Sequence, residues 1–171
     1  MVKILNWRNI SLGLLLLVAL SFLLRKIGIG FQNPLSTASG LARQLEKLGV
    51  SPELSRIIMA QAYHETGNFT SKIYKENKNF FGMKMPRKRK TTAIGEKNGY
   101  ANYKYYSDSL EDLKLWLDYN GIDETTPLSG LPLDEAIGWY VYHIKNDGFF
   151  EDSYENYYRG VRNGYKKLFG V

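Results

Sequence analysis

The sequence predicts a mainly α protein of the α+β kind: several amphipathic helices, one small β-hairpin, and an apolar N-terminal helix that spans a membrane. Three observations lead there. Apolar residues recur at helical spacing in segment after segment between residues 41 and 168. An Asn98-Gly99 pair separates two short stretches rich in strand-forming residues. The run from Ile10 to Leu24, ISLGLLLLVALSFLL, carries no charge.

At 1.5 Å per residue the apolar run covers about 22 Å, short of the roughly 30 Å hydrocarbon core. Trp7 and Arg8 precede it and Arg25-Lys26 follow it, and such flanks snorkel to the interfaces and extend a span. The rival is a cleaved signal peptide, against which stand the Arg25-Lys26 interruption and the lack of an A-x-A site. Residues 1–31 are therefore expected to be a single-pass anchor meeting lipid through residues 10–24. Gln32 to Gly40, QNPLSTASG, reads as a linker. Residues 41–171 are expected to form one domain.

Within the domain, Leu41 to Leu48 reads as a helix ended by Gly49. The next helix starts at Ser51, with Pro52 in its first turn and Glu53 at the positive end of its dipole. Leu54, Ile57, Ile58 and Ala62 form one face of it, and Gly67 stops it. Ser71 to Asn77 is a short helical piece, and Asn79-Phe80-Phe81-Gly82-Met83-Lys84 turns after it. Lys84, Arg87, Lys88, Arg89 and Lys90 then crowd a loop, which suits a solvated segment or an anionic wall polymer or lipid headgroup. The hairpin is expected to have arms Thr91–Ile94 and Tyr100–Tyr106, with Gly95 to Gly99 as its turn. Ser107 or Ser109 caps a helix over Leu110–Tyr119. Asp134 caps one running to about Lys145, and Ser153 starts the last, which ends near Leu168.

Composition narrows the chemistry. The 171-residue chain contains no cysteine, so neither a disulfide framework nor a thiolate metal site is available. His64 and His143 have no metal-ligand spacing, and no metal or other cofactor is expected. The net charge of +6 suits an anionic partner; nucleic acid is not the one expected. Eleven of the thirteen tyrosines lie after residue 99. Their rings offer an apolar face and a polar tip together, which suits either a sugar cleft or a small helical core.

The residue that draws chemistry is Glu65. It lies about three turns beyond Leu54 on the same apolar face, at the negative end of its helix. Desolvation and the dipole both disfavour the ionised carboxylate there. A carboxylic acid kept protonated near neutral pH is what a general acid needs. His64, about 100° around the helix, points elsewhere.

The strings AQAYHETGNF and ENKNFFGMK resemble the glucosaminidases of glycoside hydrolase family 73, in the lysozyme-like superfamily. Their motif runs AQA-x-x-E-[ST]-G and then N-[LF]-F-G-[IM]-K about a dozen residues on. The resemblance extends through Lys90-Thr91-Thr92, Gly99-Tyr100-Ala101-Asn102-Tyr103 and Ser107-x-Ser109-x-x-Asp112 to Gly148-Phe149-Phe150-Glu151-Asp152-Ser153-Tyr154. It covers roughly Leu41 to Leu168. It implies a lysozyme-like fold and an endo-β-N-acetylglucosaminidase that cleaves the glycan strands of peptidoglycan, with Glu65 as its acid.

Family members usually carry a second acid on the hairpin. The only hairpin acid here is Glu96, offset from the family's Thr-Thr-x-Glu position, where this chain has Thr91-Thr92-Ala93-Ile94. Glu96 is the candidate second catalytic group; substrate assistance by the sugar's N-acetyl group, or a transglycosylase-type reaction, is the alternative. Asn79 is expected to orient Glu65 or a sugar amide. Tyr100 and Tyr103, read as sharing one strand face, are expected to touch substrate together with Tyr154, while Phe80 and Phe81 are expected to pack. The expected setting is a membrane-tethered enzyme facing the cell wall, in a bacterial envelope or a membrane-containing virion. Lytic transglycosylase or muramidase activity, and a non-catalytic peptidoglycan-binding anchor, are the competing functions.

Overall fold

Helix signals along the chain become six helices beside one β-turn-β unit in a computed structural model, which describes residues 34–122, 128 and 130–171. The helices are α1 Pro34–Lys47, α2 Pro52–Glu65, α3 Lys72–Asn77, α4 Tyr106–Tyr119, α5 Leu133–Asn146 and α6 Tyr154–Phe169; the strands are β1 Gly95–Lys97 and β2 Tyr100–Asn102. The anchor expected over residues 1–31 lies outside the described residues. Among the described residues no helix is long and apolar enough to cross a membrane.

Several boundaries move from their expected places. The segment read as a linker supplies the first turns of α1, which begins at Pro34, and Ala38 within it is fully buried. A proline at the first helical position needs no backbone donor, so PLSTASG enters the helix without penalty. Helix α4 starts at Tyr106 rather than Leu110, because Asp108 accepts from the Tyr105 backbone N–H at 2.9 Å and caps the turn earlier than Ser109 could. Ser109 is instead buried, accepting from the Phe80 N–H at 3.1 Å. Asp134 lies inside the first turn of α5, whose cap position is Pro132. Ser51, Ser71 and Ser153 cap α2, α3 and α6 as the sequence suggests.

The hairpin also shifts. Gly95 belongs to β1, and the loop is the two residues Asn98 and Gly99, both at positive φ (55° and 77°). A two-residue turn of that hand matches the twist of the strands and sets the register, pairing Glu96 with Ala101 and Lys97 with Tyr100. Buried Asn77 ties this hairpin to the end of α3 by donating to the Lys97 carbonyl at 2.6 Å.

Helix α2 is the hub: it packs against α1, α5 and α6. Leu54, Ile57, Ile58, Met59, Ala60 and Ala62 are all essentially inaccessible to solvent, so more than one stripe of α2 is covered. Helix α6 crosses it closely. A β-carbon on Gly164 would lie 2.7 Å from the Ala60 carbonyl oxygen, and one on Gly160 would collide with the His64 ring. Only glycine permits that approach.

Candidate active site

The last turn of α2 delivers Glu65 to the point where α6, the Gly82 turn and the hairpin meet. The chain then reverses sharply: Gly67, Asn68 and Phe69 all have positive φ, at 54°, 64° and 60°. For a phenylalanine this conformation is costly. It is held by Thr66, whose hydroxyl donates to the Ala62 carbonyl at 2.6 Å and accepts from the Phe69 N–H at 2.8 Å. The buried Phe69 ring packs edge-on against Tyr63 and Phe80.

Behind Glu65 runs a directed chain of buried hydrogen bonds. Tyr140 on α5 donates to Gln61 Oε1 at 2.6 Å; Gln61 Nε2 donates to the Tyr157 hydroxyl at 3.0 Å; Tyr157 on α6 donates to Glu65 Oε1. Gln61 stands one turn before Glu65 on the same helix. Phe150 stacks flat on the Tyr157 ring, centroids 3.6 Å apart, and His64 meets its other side edge-on at 5.3 Å. Lys145 braces the Phe150 segment by donating to the carbonyls of Phe150, Glu151 and Asp152.

Burial raises the Glu65 pKa above the ordinary carboxyl value, although the Tyr157 hydrogen bond pulls the other way. Burial likewise holds Tyr157 and Tyr140 well above the usual phenol range, with the nearby Glu65 charge adding to it. Both phenols are therefore fixed donors. Oε1 is occupied by Tyr157, which leaves Oε2 without a hydrogen-bond partner among the described residues. A β-carbon on Gly82 would lie 3.9 Å from Glu65 Oε2 and 4.0 Å from Tyr100 Cε1. The free oxygen of Glu65, the bare backbone of Gly82 and the Tyr100 ring thus converge.

The other candidates fall in different places. Asn79 is buried with its amide used entirely on backbone: Nδ2 donates to the carbonyls of Met83 (2.9 Å) and Ala101 (3.0 Å), and Oδ1 accepts from the N–H groups of Phe81 and Met83. It shapes the turn that brings Gly82 to Glu65 and has no donor left for Glu65 or a sugar. Tyr103 does not share a face with Tyr100. Three residues apart on a strand, the two alternate; Tyr103 is 1% exposed and donates to Asp112 Oδ2 at 2.7 Å. Glu96 is exposed, and its pairing with Ala101 turns it to the hairpin face opposite Tyr100. Tyr154 is half-buried in the first turn of α6, its ring parallel to that of Tyr158. Phe80 and Phe81 pack in the core as expected. The sequence reading missed Gln61, Tyr157 and Tyr140. A polar residue one turn before Glu65 on the buried side was a visible signal for Gln61; the tyrosines are more than 70 residues away in sequence and left none.

A groove of about 580 Å³ opens from Gly82. It is lined by the loop from Lys84 to Arg89, by Trp116 and Tyr119, and by the Gly148–Glu151 segment. Glu65 is not part of its lining, but the lining includes Gly82, where an added β-carbon would approach Glu65, and Phe150, which stacks on Tyr157. Arg89 is pinned by buried Asp112 through two hydrogen bonds of 2.7 and 3.2 Å. Among the described residues no three His, Asp or Glu side chains are grouped to hold a metal ion.

A half-buried carboxyl with one oxygen held by Tyr157 and the other beside Gly82 thus stands next to a residue that lines an open groove. Residues 40–168 match the Glucosaminidase family, described as mannosyl-glycoprotein endo-beta-N-acetylglucosaminidase, and the chain belongs to that family. It is a glycoside hydrolase, and peptidoglycan is the substrate that membership implies. No curated protein and no solved structure matches the chain.

Proposed function

We propose that the protein is an endo-β-N-acetylglucosaminidase of peptidoglycan with Glu65 as its general acid. The observation that carries this is the Tyr157–Glu65 hydrogen bond within a buried chain that leaves Oε2 free beside Gly82 and Tyr100. As the glycosidic C1–O bond breaks, the Oε2 proton passes to the leaving oxygen. The acetamide oxygen of the same sugar closes on C1, giving an oxazolinium ion. Water then attacks C1, the oxazolinium opens, and the water's proton returns to the Glu65 carboxylate. Substrate assistance is preferred to a base at Glu96 because that side chain is exposed and turned from the Tyr100 face. Tyr100 stacks on the sugar. Residues 1–31 tether the enzyme to a membrane facing the wall, as the uncharged run Ile10–Leu24 suggests.

Glu65→Gln tests the assignment. The amide keeps the size and can still accept from Tyr157, but it cannot deliver a proton. Turnover of purified sacculi should fall at least on the order of 10²-fold with the circular dichroism spectrum unchanged; a folded variant near wild-type rate would show that another group is the acid. Glu96→Gln should leave turnover nearly unchanged, and a large loss would restore the hairpin acid to the mechanism. Mass spectrometry of the reducing ends separates glucosaminidase from muramidase and transglycosylase products.

A further inference from the structure

Five cations crowd residues 84–90, and the structure divides them. Arg89 is committed to Asp112, which is itself completely buried and also accepts from Tyr103. That ion pair fixes the course of the loop. Lys84, Arg87 and Lys88 are exposed on the same groove wall and have no ion-pair or hydrogen-bond partner among the described residues. The exposed carboxylates Asp147 and Glu151 line the same groove. The groove lining therefore carries both signs of charge, together with Trp116 and Phe149 packed edge-on at 4.8 Å.

In a stem-bearing strand each muramic lactyl carboxyl is spent in the amide to its stem, so the sugars themselves bring no charge to such a lining. The peptide stem of peptidoglycan does: it carries free carboxylates, and in many stems an amine. The stem is attached to every second sugar, so a strand with its scissile bond at Glu65 must carry a stem within about one sugar of it. The groove begins at that place, at Gly82. We propose, on the basis of the glycosidase assignment above, that this groove is a stem-peptide subsite in which Lys84, Arg87 and Lys88 take the peptide carboxylates. A phosphate-rich wall polymer would also favour the cations, but not Asp147 and Glu151 in the same groove.

Binding separates this subsite from the catalytic assignment. The full chain carrying Glu65→Gln is titrated with a peptide-free disaccharide whose lactyl carboxyl is capped as a methylamide and with the same disaccharide bearing a tetrapeptide stem. The stem should tighten binding on the order of tenfold, an advantage that shrinks with added salt. Adding Lys84→Gln, Arg87→Gln and Lys88→Gln should remove the advantage while leaving the peptide-free ligand's affinity as it was. Equal affinity for the two ligands, or an advantage that survives the triple substitution, would overturn the proposal. So would competition by polyglycerol phosphate without any stem advantage, which would assign the cations to a phosphate polymer. Turnover by the wild-type chain is scored separately: no hydrolysis of either strand type would sink the glycosidase assignment, while the binding result still decides the subsite.

Discussion

Glu65 is exposed to two opposing influences whose balance sets its working pH. Burial favours the neutral acid and outweighs the Tyr157 hydrogen bond, which favours the anion. Replacing Tyr157 by Phe removes only the second. The Glu65 pKa should rise further, so the alkaline limb of the activity–pH curve should move upward even as the rate falls by roughly tenfold from lost positioning; a limb that stays in place would mean Tyr157 has no electrostatic hold on the acid. Stability gives an independent check. A carboxyl whose folded pKa lies above its unfolded value binds more protons folded than unfolded between the two, so its contribution worsens as pH rises through that window. Glu65→Gln should therefore melt at a higher temperature than wild type at neutral pH. The gap should close below the ordinary carboxyl value of 4.5, where both states are protonated, as thermal melts across pH would show.

At the scale of elements, the hairpin and the Gly82 turn hold their positions through buried polar groups, among them Asn79 and Tyr103, which the sequence suggests for the site. Asn77 and Asn79 spend their amides on hairpin and turn backbone. The Asp112 carboxylate joins α4 to the basic loop through Arg89 and to the segment after β2 through Tyr103. Asp112→Ala leaves the Arg89 guanidinium, 7% exposed, without its counter-charge and should cost about 3–5 kcal/mol. Chemical denaturation would measure it, and a loss below about 1 kcal/mol would place the pair among weak surface bridges. Legibility was uneven at this scale. Capping serines and the Asn98-Gly99 turn act locally, so their elements were readable. The starts of α1 and α4 were not, because a buried Ala38 and an Asp108 cap outweighed the breakers nearer to hand.

Across the whole molecule, the site depends on how closely α6 lies on α2. Gly164 is what allows it, with the Ala60 carbonyl 2.7 Å from where a β-carbon would stand. Gly164→Val should lose on the order of 1–3 kcal/mol through overpacking, although most residues favour helix more than glycine does. Since Tyr157 rides on α6, activity should fall by more than the melting temperature predicts. Variant turnover measured well below Tm would reveal this; full activity would mean α6 can shift without moving Tyr157.

The sequence by itself determined the helix that ends in Glu65, its capping serine, the apolar face and the family, because each of these is written in neighbouring residues at fixed spacing. It also marked Tyr100 and the basic loop. Tertiary structure alone decided which polar residues reach Glu65. Gln61, Tyr157 and Tyr140 lie on three helices and meet only when α2, α5 and α6 pack. It also withdrew Asn79 and Tyr103 from the cleft, since a polar side chain's role depends on which partners burial leaves it, and separation along the chain does not encode that.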